Sequence, residues 1–199
     1  MALGPILFTG LIQKRKKDMT NKLFFDADCL SAFLWVSRED ILFDLYPEKI
    51  VLPKQVYDEL CHPSIPHFKR KMDQFTQEHK LSIKEILLDT EEYHLYYELA
   101  FSPSKGEIII GRGEAAAIAL ARTYNGIIAS SNFRDVAKYA RKYNLEHIGA
   151  GDILVAAFKA GYIDEVEGNK IWHKMLAKRR VLPRPTFTEY LRMLNNNTL

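Results

Sequence analysis

Cysteine is nearly missing from this 199-residue chain: Cys29 and Cys61 are the only two, far apart and in no metal-binding spacing. That excludes a zinc site built on paired thiolates and gives no sign of the disulfide framework of a small secreted domain. Reduced thiols in a cytoplasmic protein are the simple expectation, with Cys29, inside an apolar stretch, packing as a small hydrophobe. The six histidines show no ligand spacing either, so they read as surface or packing residues. No apolar run approaches the length of a membrane-spanning helix, and a membrane is not an expected partner. Charge of one sign is also scarce: the net charge of +3 is too small to announce a polyanion partner by itself. No repeat or low-complexity tract occurs beyond Asn195-Asn196-Asn197, which reads as a frayed tail.

What is present is an ordinary globular composition, 47% hydrophobic and 27% charged, on a chain long enough for one domain with a real core. Residues 1–10 are apolar and the basic cluster Lys14-Arg15-Lys16-Lys17 follows them, the reverse of signal-peptide order. Residues 1–18 are therefore expected to be an extension outside the fold. Basic charge is concentrated instead between 168 and 188, where Lys170, Lys174, Lys178, Arg179, Arg180 and Arg184 occur with no acid among them. This tract reads either as a face for a polyanion or as a solvated basic helix. It belongs to C-terminal helices, 164–199, expected to pack on the same domain as 19–163.

The hydrophobic pattern alternates between short apolar runs and helical stripes. Strands are expected at 23–25, 49–52, 81–88, 127–129 and 146–148. Helices are expected at 29–36, 38–46, 54–61, 67–80, 91–99, 113–124, 134–143, 151–160, 164–180 and 186–194. Phe68, Met72 and Phe75 share one face of the fourth helix, Thr90 caps the fifth, and Asn125-Gly126 is a turn. Strands alternating with helices give a three-layer α/β/α architecture around a mainly parallel sheet. Ligands of such sheets bind beyond the carboxyl ends of the strands. That rule brings Asp26, which ends the first strand, to the same edge as the loop 130–135.

Four isolated acids stand where strands end or helices begin: Asp26, Glu59, Glu114 and Asp135. Carboxylates without sulfur or clustered histidine suit Mg²⁺ or Mn²⁺ better than zinc, and such ions serve phosphodiester hydrolysis. Each acid also has a plainer reading. Asp26 could cap the following helix, and Glu114 and Asp135 could complement helix dipoles. Glu59 could be a solvated charge, Asp28 a cap, and Asp152 a helix N-terminus. Trp35 and Trp172 read as core or interface aromatics.

The motifs around these acids resemble the PIN domain, the nuclease fold shared by many toxins of toxin–antitoxin pairs (VapC-like), over roughly 23–163. Phe25-Asp26-Ala27-Asp28-Cys29-Leu30 is similar to the family's first motif, with an Asp ending strand one. Val51-Leu52-Pro53 through Glu59-Leu60 is similar to the second, Gly111-Arg112-Gly113-Glu114-Ala115 to the third, and Ser130-Ser131-Asn132-Phe133-Arg134-Asp135 to the fourth. Asn132 stands where many members carry Asp. The resemblance implies a Mg²⁺- or Mn²⁺-dependent endoribonuclease acting as a toxin. Its metal ligands would be Asp26, Glu114 and Asp135, with Glu59 binding metal or orienting water. Asp28, Ser130, Ser131 and Asn132 would support the ligands or the substrate phosphate, and the basic tract would hold the RNA backbone. An antitoxin protein is an implied partner, and a homodimer through 38–46 and 90–101 another.

Two rival readings remain at this level. Asp26-Ala27-Asp28 also resembles the Asp-x-Asp opening of haloacid dehalogenase-type phosphatases, with Asp26 as nucleophile and Asp28 as acid. The glycine turn expected after that pair is absent, the interval from Ser131 to Asp152 is short for the family's later motifs, and Glu59 and Glu114 go unused. Asn132 in place of Asp also fits a lapsed nuclease that binds RNA or a protein.

Overall fold

The computed structural model describes residues 21–196. The expected extension at 1–18 lies outside the described residues, as does Asn197. Five strands carry the fold: β1 (Leu23–Phe25), β2 (Ile50–Pro53), β3 (Ser82–Lys84), β4 (Ile127–Ala129) and β5 (His147–Ile148). They form one sheet in the order β3-β2-β1-β4-β5, every pairing parallel. The helices are α1 (Ala27–Val36), α2 (Asp40–Leu45), α3 (Lys54–Leu60), α4 (Pro66–Gln77), α5 (Glu91–Phe101), α6 (Arg112–Tyr124), α7 (Phe133–Lys142), α8 (Ala150–Lys159), α9 (Glu165–Ala177) and α10 (Phe187–Asn196).

The central strands read as unbroken apolar runs because both of their faces are covered. Their side chains still alternate, and that alternation divides the core in two. Leu23, Phe25, Ile50, Leu52 and Ala129 face α1, α2, α3, α4, α8, α9 and α10. Phe24, Val51 and Ile128 face α5, α6 and α7. The result is the three-layer α/β/α arrangement that the pattern implies, with a sheet that is wholly parallel.

Several boundaries differ from the sequence expectation, and three of the differences matter for the architecture. The strand expected at 81–88 shortens to β3, because its one neighbour, β2, ends at Pro53 opposite Lys84 and turns directly into α3. The basic helix expected to reach 180 stops at Ala177, followed by Arg179 in the left-handed region at φ 59°. Asn195 and Asn196, read as frayed tail, close α10.

The C-terminal helices belong to the core. Trp172 is fully buried, and its indole Nε1 donates 2.9 Å to the Arg184 carbonyl, fixing the chain beyond α9. Gly168 lets Phe187 lie flat on α9, since a Cβ there would come 2.4 Å from the ring. Tyr190 donates 2.6 Å to Asp152, whose other oxygen accepts from the Gly149 amide at the start of α8. No helix among the described residues is long and apolar enough to cross a membrane.

The strand order reverses direction between β1 and β4: the chain grows from β1 through β2 to β3, then returns to β4 on the other side. The carboxyl ends of two neighbouring strands whose connections depart in opposite directions leave a crevice. Asp26 and Ser130 are the first residues past those two ends.

Candidate active site

Asp26 continues the ladder through its amide, which donates 2.9 Å to the Ala129 carbonyl, and then starts α1 as its N-cap. Its Oδ1 accepts from the Cys29 amide at 2.7 Å. Its Oδ2 is buried and has no hydrogen-bond partner among the described residues. The two readings of this residue thus fall on different oxygens: one caps the helix, and the other is left over. Such an orphan is costly. Burial pushes the Asp26 carboxyl from 3.8 up to about 7. The Ser130 hydroxyl and the Cys29 amide oppose that rise, while the charges of Asp28 and Glu114 add to it. Ser130 does so without completing a hydrogen bond to Oδ2.

Glu114 stands in the first turn of α6. Its Oε2 accepts from the Gly111 amide at 3.1 Å, and its Oε1 accepts from Asn132 Nδ2 at 2.7 Å. Glu59 comes from the last turn of α3, which crosses α6 at Gly113. A Cβ on Gly113 would lie 3.2 Å from Glu59 Oε2 and 3.2 Å from Val56 Cγ2, so the glycine is what lets the Glu59 carboxylate settle there. Partial burial raises the Glu59 pKa, and the charges of Asp28 and Glu114 raise it further. Asp26, Asp28, Glu59 and Glu114, with Arg112 and Gly113, line one open cavity of about 160 Å³.

Asp135 does not line that cavity. Its Oδ2 accepts from Asn132 Nδ2 at 3.0 Å, and its amide donates back to Asn132 Oδ1 at 3.2 Å as part of the α7 cap. One amide group of Asn132 therefore bridges Glu114 and Asp135. An aspartate at 132 would place a third negative charge between two others, whereas the amide donates to both. Asn132 is itself positioned by Ser130, whose Oγ accepts from the Asn132 amide at 3.1 Å. Ser131 lies on the outer side, with its Oγ 3.5 Å from the Ala150 amide.

The residues suit a particular kind of metal binding. As they stand, no three acidic, histidine or cysteine side chains among the described residues would enclose an ion. A Mg²⁺ ion, however, keeps most of its waters and is commonly held by one or two carboxylates. The partnerless Asp26 Oδ2, a carboxyl reluctant to ionise alone, and Glu59 and Glu114 around the same space fit a hydrated hard cation. The wall holds no sulfur or imidazole that would favour zinc.

A second, larger cavity of about 460 Å³ adjoins the first through Asp28, which lines both. Its wall includes Ser131, Asn132, Phe133, Arg134, Arg179 and Arg180. Arg180 Nη1 lies 3.3 Å from Asp28 Oδ1 and 3.2 Å from Ser31 Oγ, tying the chain after α9 to α1. Asp28 is exposed and held by that arginine, on the outer side of Asp26. Of the six basic residues of the tract, Arg179 and Arg180 reach this wall, whereas Lys170, Lys174, Lys178 and Arg184 line neither cavity. Lys170 pairs with Glu167 at 3.8 Å, Lys178 lies 5.6 Å from the Trp35 ring centre, and Arg184 Nε approaches Met193 Sδ at 3.3 Å.

Phe133 and Arg134 were not singled out from sequence as site residues. The signal available was their place directly after Ser130-Ser131-Asn132, at the strand-to-helix turn that carries the fourth motif. A family model described as a PIN domain matches residues 22–196, the C-terminal helices included. No curated protein matches the chain.

Proposed function

The chain belongs to the PIN-domain family, and from that premise we propose that it is a Mg²⁺- or Mn²⁺-dependent endoribonuclease, the toxin of a toxin–antitoxin pair. PIN domains are generally nucleases and usually use divalent metal ions. The observation that carries the reading is the Asp26 Oδ2: a buried carboxylate oxygen with no partner, beside a cavity walled by further carboxylates.

Asp26 and Glu114 would hold the ion, with Asp135 behind them through Asn132. Bound there, a divalent ion would neutralise the charge developing on the phosphate and make a water more acidic. Glu59, whose raised pKa makes it a better proton acceptor once ionised, orients the attacking water and takes its proton. Asn132 keeps Glu114 and Asp135 in place as charge shifts in the cavity. Arg179 and Arg180 hold the RNA backbone through charge, without reading sequence. On this reading the nuclease domain, 19–163 by its sequence pattern, is completed by the C-terminal helices, whose described part ends at Asn196 and whose Arg179 and Arg180 line the cavity beside the acids. Pairing of two copies through α2 and α5, where Tyr97 and Phe101 stay exposed, and capture by an antitoxin belong to the same family analogy.

Incubation of mixed RNA with the protein, with and without EDTA, tests the activity. Cleavage that stops with the chelator and in Asp26→Asn is expected. Cleavage unaffected by EDTA would refute the metal mechanism. Calorimetric titration with Mn²⁺ separates a lapsed site from a working one, since a binder without a metal site gives no saturable heat. Growth arrest on expression, relieved by Asp26→Asn and by a small protein encoded beside this gene, tests the toxin role.

A further inference from the structure

Phe133, a residue 42% exposed, opens α7 directly after Asn132. A single exposed aromatic needs no explanation, but this ring is braced. His147 stacks on it at 4.5 Å between centres and 29° between planes. The imidazole is fixed in turn by a 2.9 Å hydrogen bond from its Nε2 to the Ser130 carbonyl. Gly149 provides the room behind, since a Cβ there would come 2.6 Å from Phe133 Cε2. Two residues of the β5 end thus hold a phenylalanine rigidly against the cavity that adjoins the acidic one. The same wall carries three arginines, Arg134, Arg179 and Arg180. The Arg134 side chain is 94% exposed, with its Nε 3.9 Å from Asp135 Oδ1, and Arg179 lines the wall from the turn after α9. The volume of about 460 Å³ lies within the range of about 300–1,000 Å³ typical of small-molecule pockets.

An apolar ring face beside guanidinium groups matches the two chemistries of a nucleotide, a flat base and a charged phosphate. We infer that this cavity is a subsite for one unpaired nucleotide of the substrate, its base stacked on Phe133 and its phosphates held by Arg179 and Arg180. The subsite rests on the nuclease reading for its place beside the scissile phosphate. It also restricts the substrate. A base inside a duplex has both faces occupied by its neighbours, so only a single-stranded segment can offer one to Phe133. Asp28 marks the joint between the subsite and the carboxylate cavity, and Arg180, already bonded to it, keeps the two in register.

The test is binding of a fluorescent single-stranded RNA oligomer by anisotropy, in EDTA so that nothing is cut, alongside the matching duplex and an oligomer carrying abasic positions. Phe133→Leu keeps apolar bulk against His147 and Gly149 but offers no flat face. It is expected to weaken single-strand binding by roughly tenfold. Phe133→Tyr should bind as the native protein does, and the abasic oligomer should bind Phe133→Leu and the native protein equally. Unchanged affinity in Phe133→Leu, or an equal loss with the abasic oligomer, overturns the subsite. Melting curves of both variants establish that the fold is intact. Cleavage assayed separately keeps the two readings apart. Binding that depends on Phe133 in a protein that cuts no RNA leaves the subsite standing and removes the nuclease. Metal-dependent cleavage indifferent to Phe133 does the reverse.

Discussion

Replacing Asp26 with asparagine should make the metal-free protein more stable at neutral pH, although it removes the carboxylate to which the proposed mechanism assigns the metal. The carboxyl is 2% exposed, and its pKa rises from 3.8 to about 7 in the fold. Between those values the folded chain holds a proton that the unfolded chain has released. Stability therefore falls as pH rises through that window and levels off above it. A difference of about three pH units corresponds to about 4 kcal/mol, at about 1.4 kcal/mol per unit. Asparagine cannot ionise, and its side-chain oxygen can still accept from the Cys29 amide that Asp26 Oδ1 now serves. At pH 8 in EDTA, Asp26→Asn should melt roughly 8–16 °C higher than the native chain, taking about 2–4 °C per kcal/mol for a domain of this size. Near pH 4 the two should melt together. Differential scanning calorimetry across that range is the assay. Added Mn²⁺ should raise the melting point of the native protein and leave Asp26→Asn unmoved. A pH-independent difference, or a variant less stable at pH 8, would show that burial does not govern this carboxyl.

Three further outcomes follow from the same geometry. Glu114→Gln keeps one acceptor but loses the charge, and is expected to weaken Mn²⁺ binding at least tenfold by calorimetry while melting within a few degrees of the native protein. Gly113→Ala gains helix propensity of about 1 kcal/mol, yet its methyl group crowds Glu59 Oε2 at 3.2 Å. RNA cleavage should therefore fall more than tenfold with little change in melting. Gly168→Ala drives a methyl group into Phe187 at 2.4 Å. Overpacking of this kind costs about 1–3 kcal/mol, seen as a lower denaturant midpoint and loss of the fixed near-ultraviolet signal of Trp172.

The glycines behind two of these predictions were visible in the sequence only as letters. Gly113 sat in the Gly-Arg-Gly-Glu motif, and nothing local showed that Glu59, more than fifty positions earlier, would press against it. The capping roles were better marked. Thr90 bonds the Tyr93 amide, and Asp152 holds the start of α8, because a cap acts within one turn of its own residue. Asp26 was legible as an acid at a strand end, but which of its oxygens would be spent on the cap was not.

Local pattern alone determined most of the architecture: the apolar strands, the helical stripes, and the alternation that makes a parallel sheet with two covered faces. Those depend on neighbours within a few residues and on chain chirality, both written in the sequence. Which acids share a cavity was decided by tertiary structure. Asp26, Glu59 and Glu114 meet because the strand order turns back at β1 and β4 and α3 crosses α6 at a glycine. Asp135 stands one amide group away because the α7 cap consumes its backbone. Only Arg179 and Arg180 of the basic tract reach the groove, because α9 stops at Ala177 and the chain bends toward Asp28. Distances across a fold come from packing, and packing is summed over contacts that no single stretch of sequence contains.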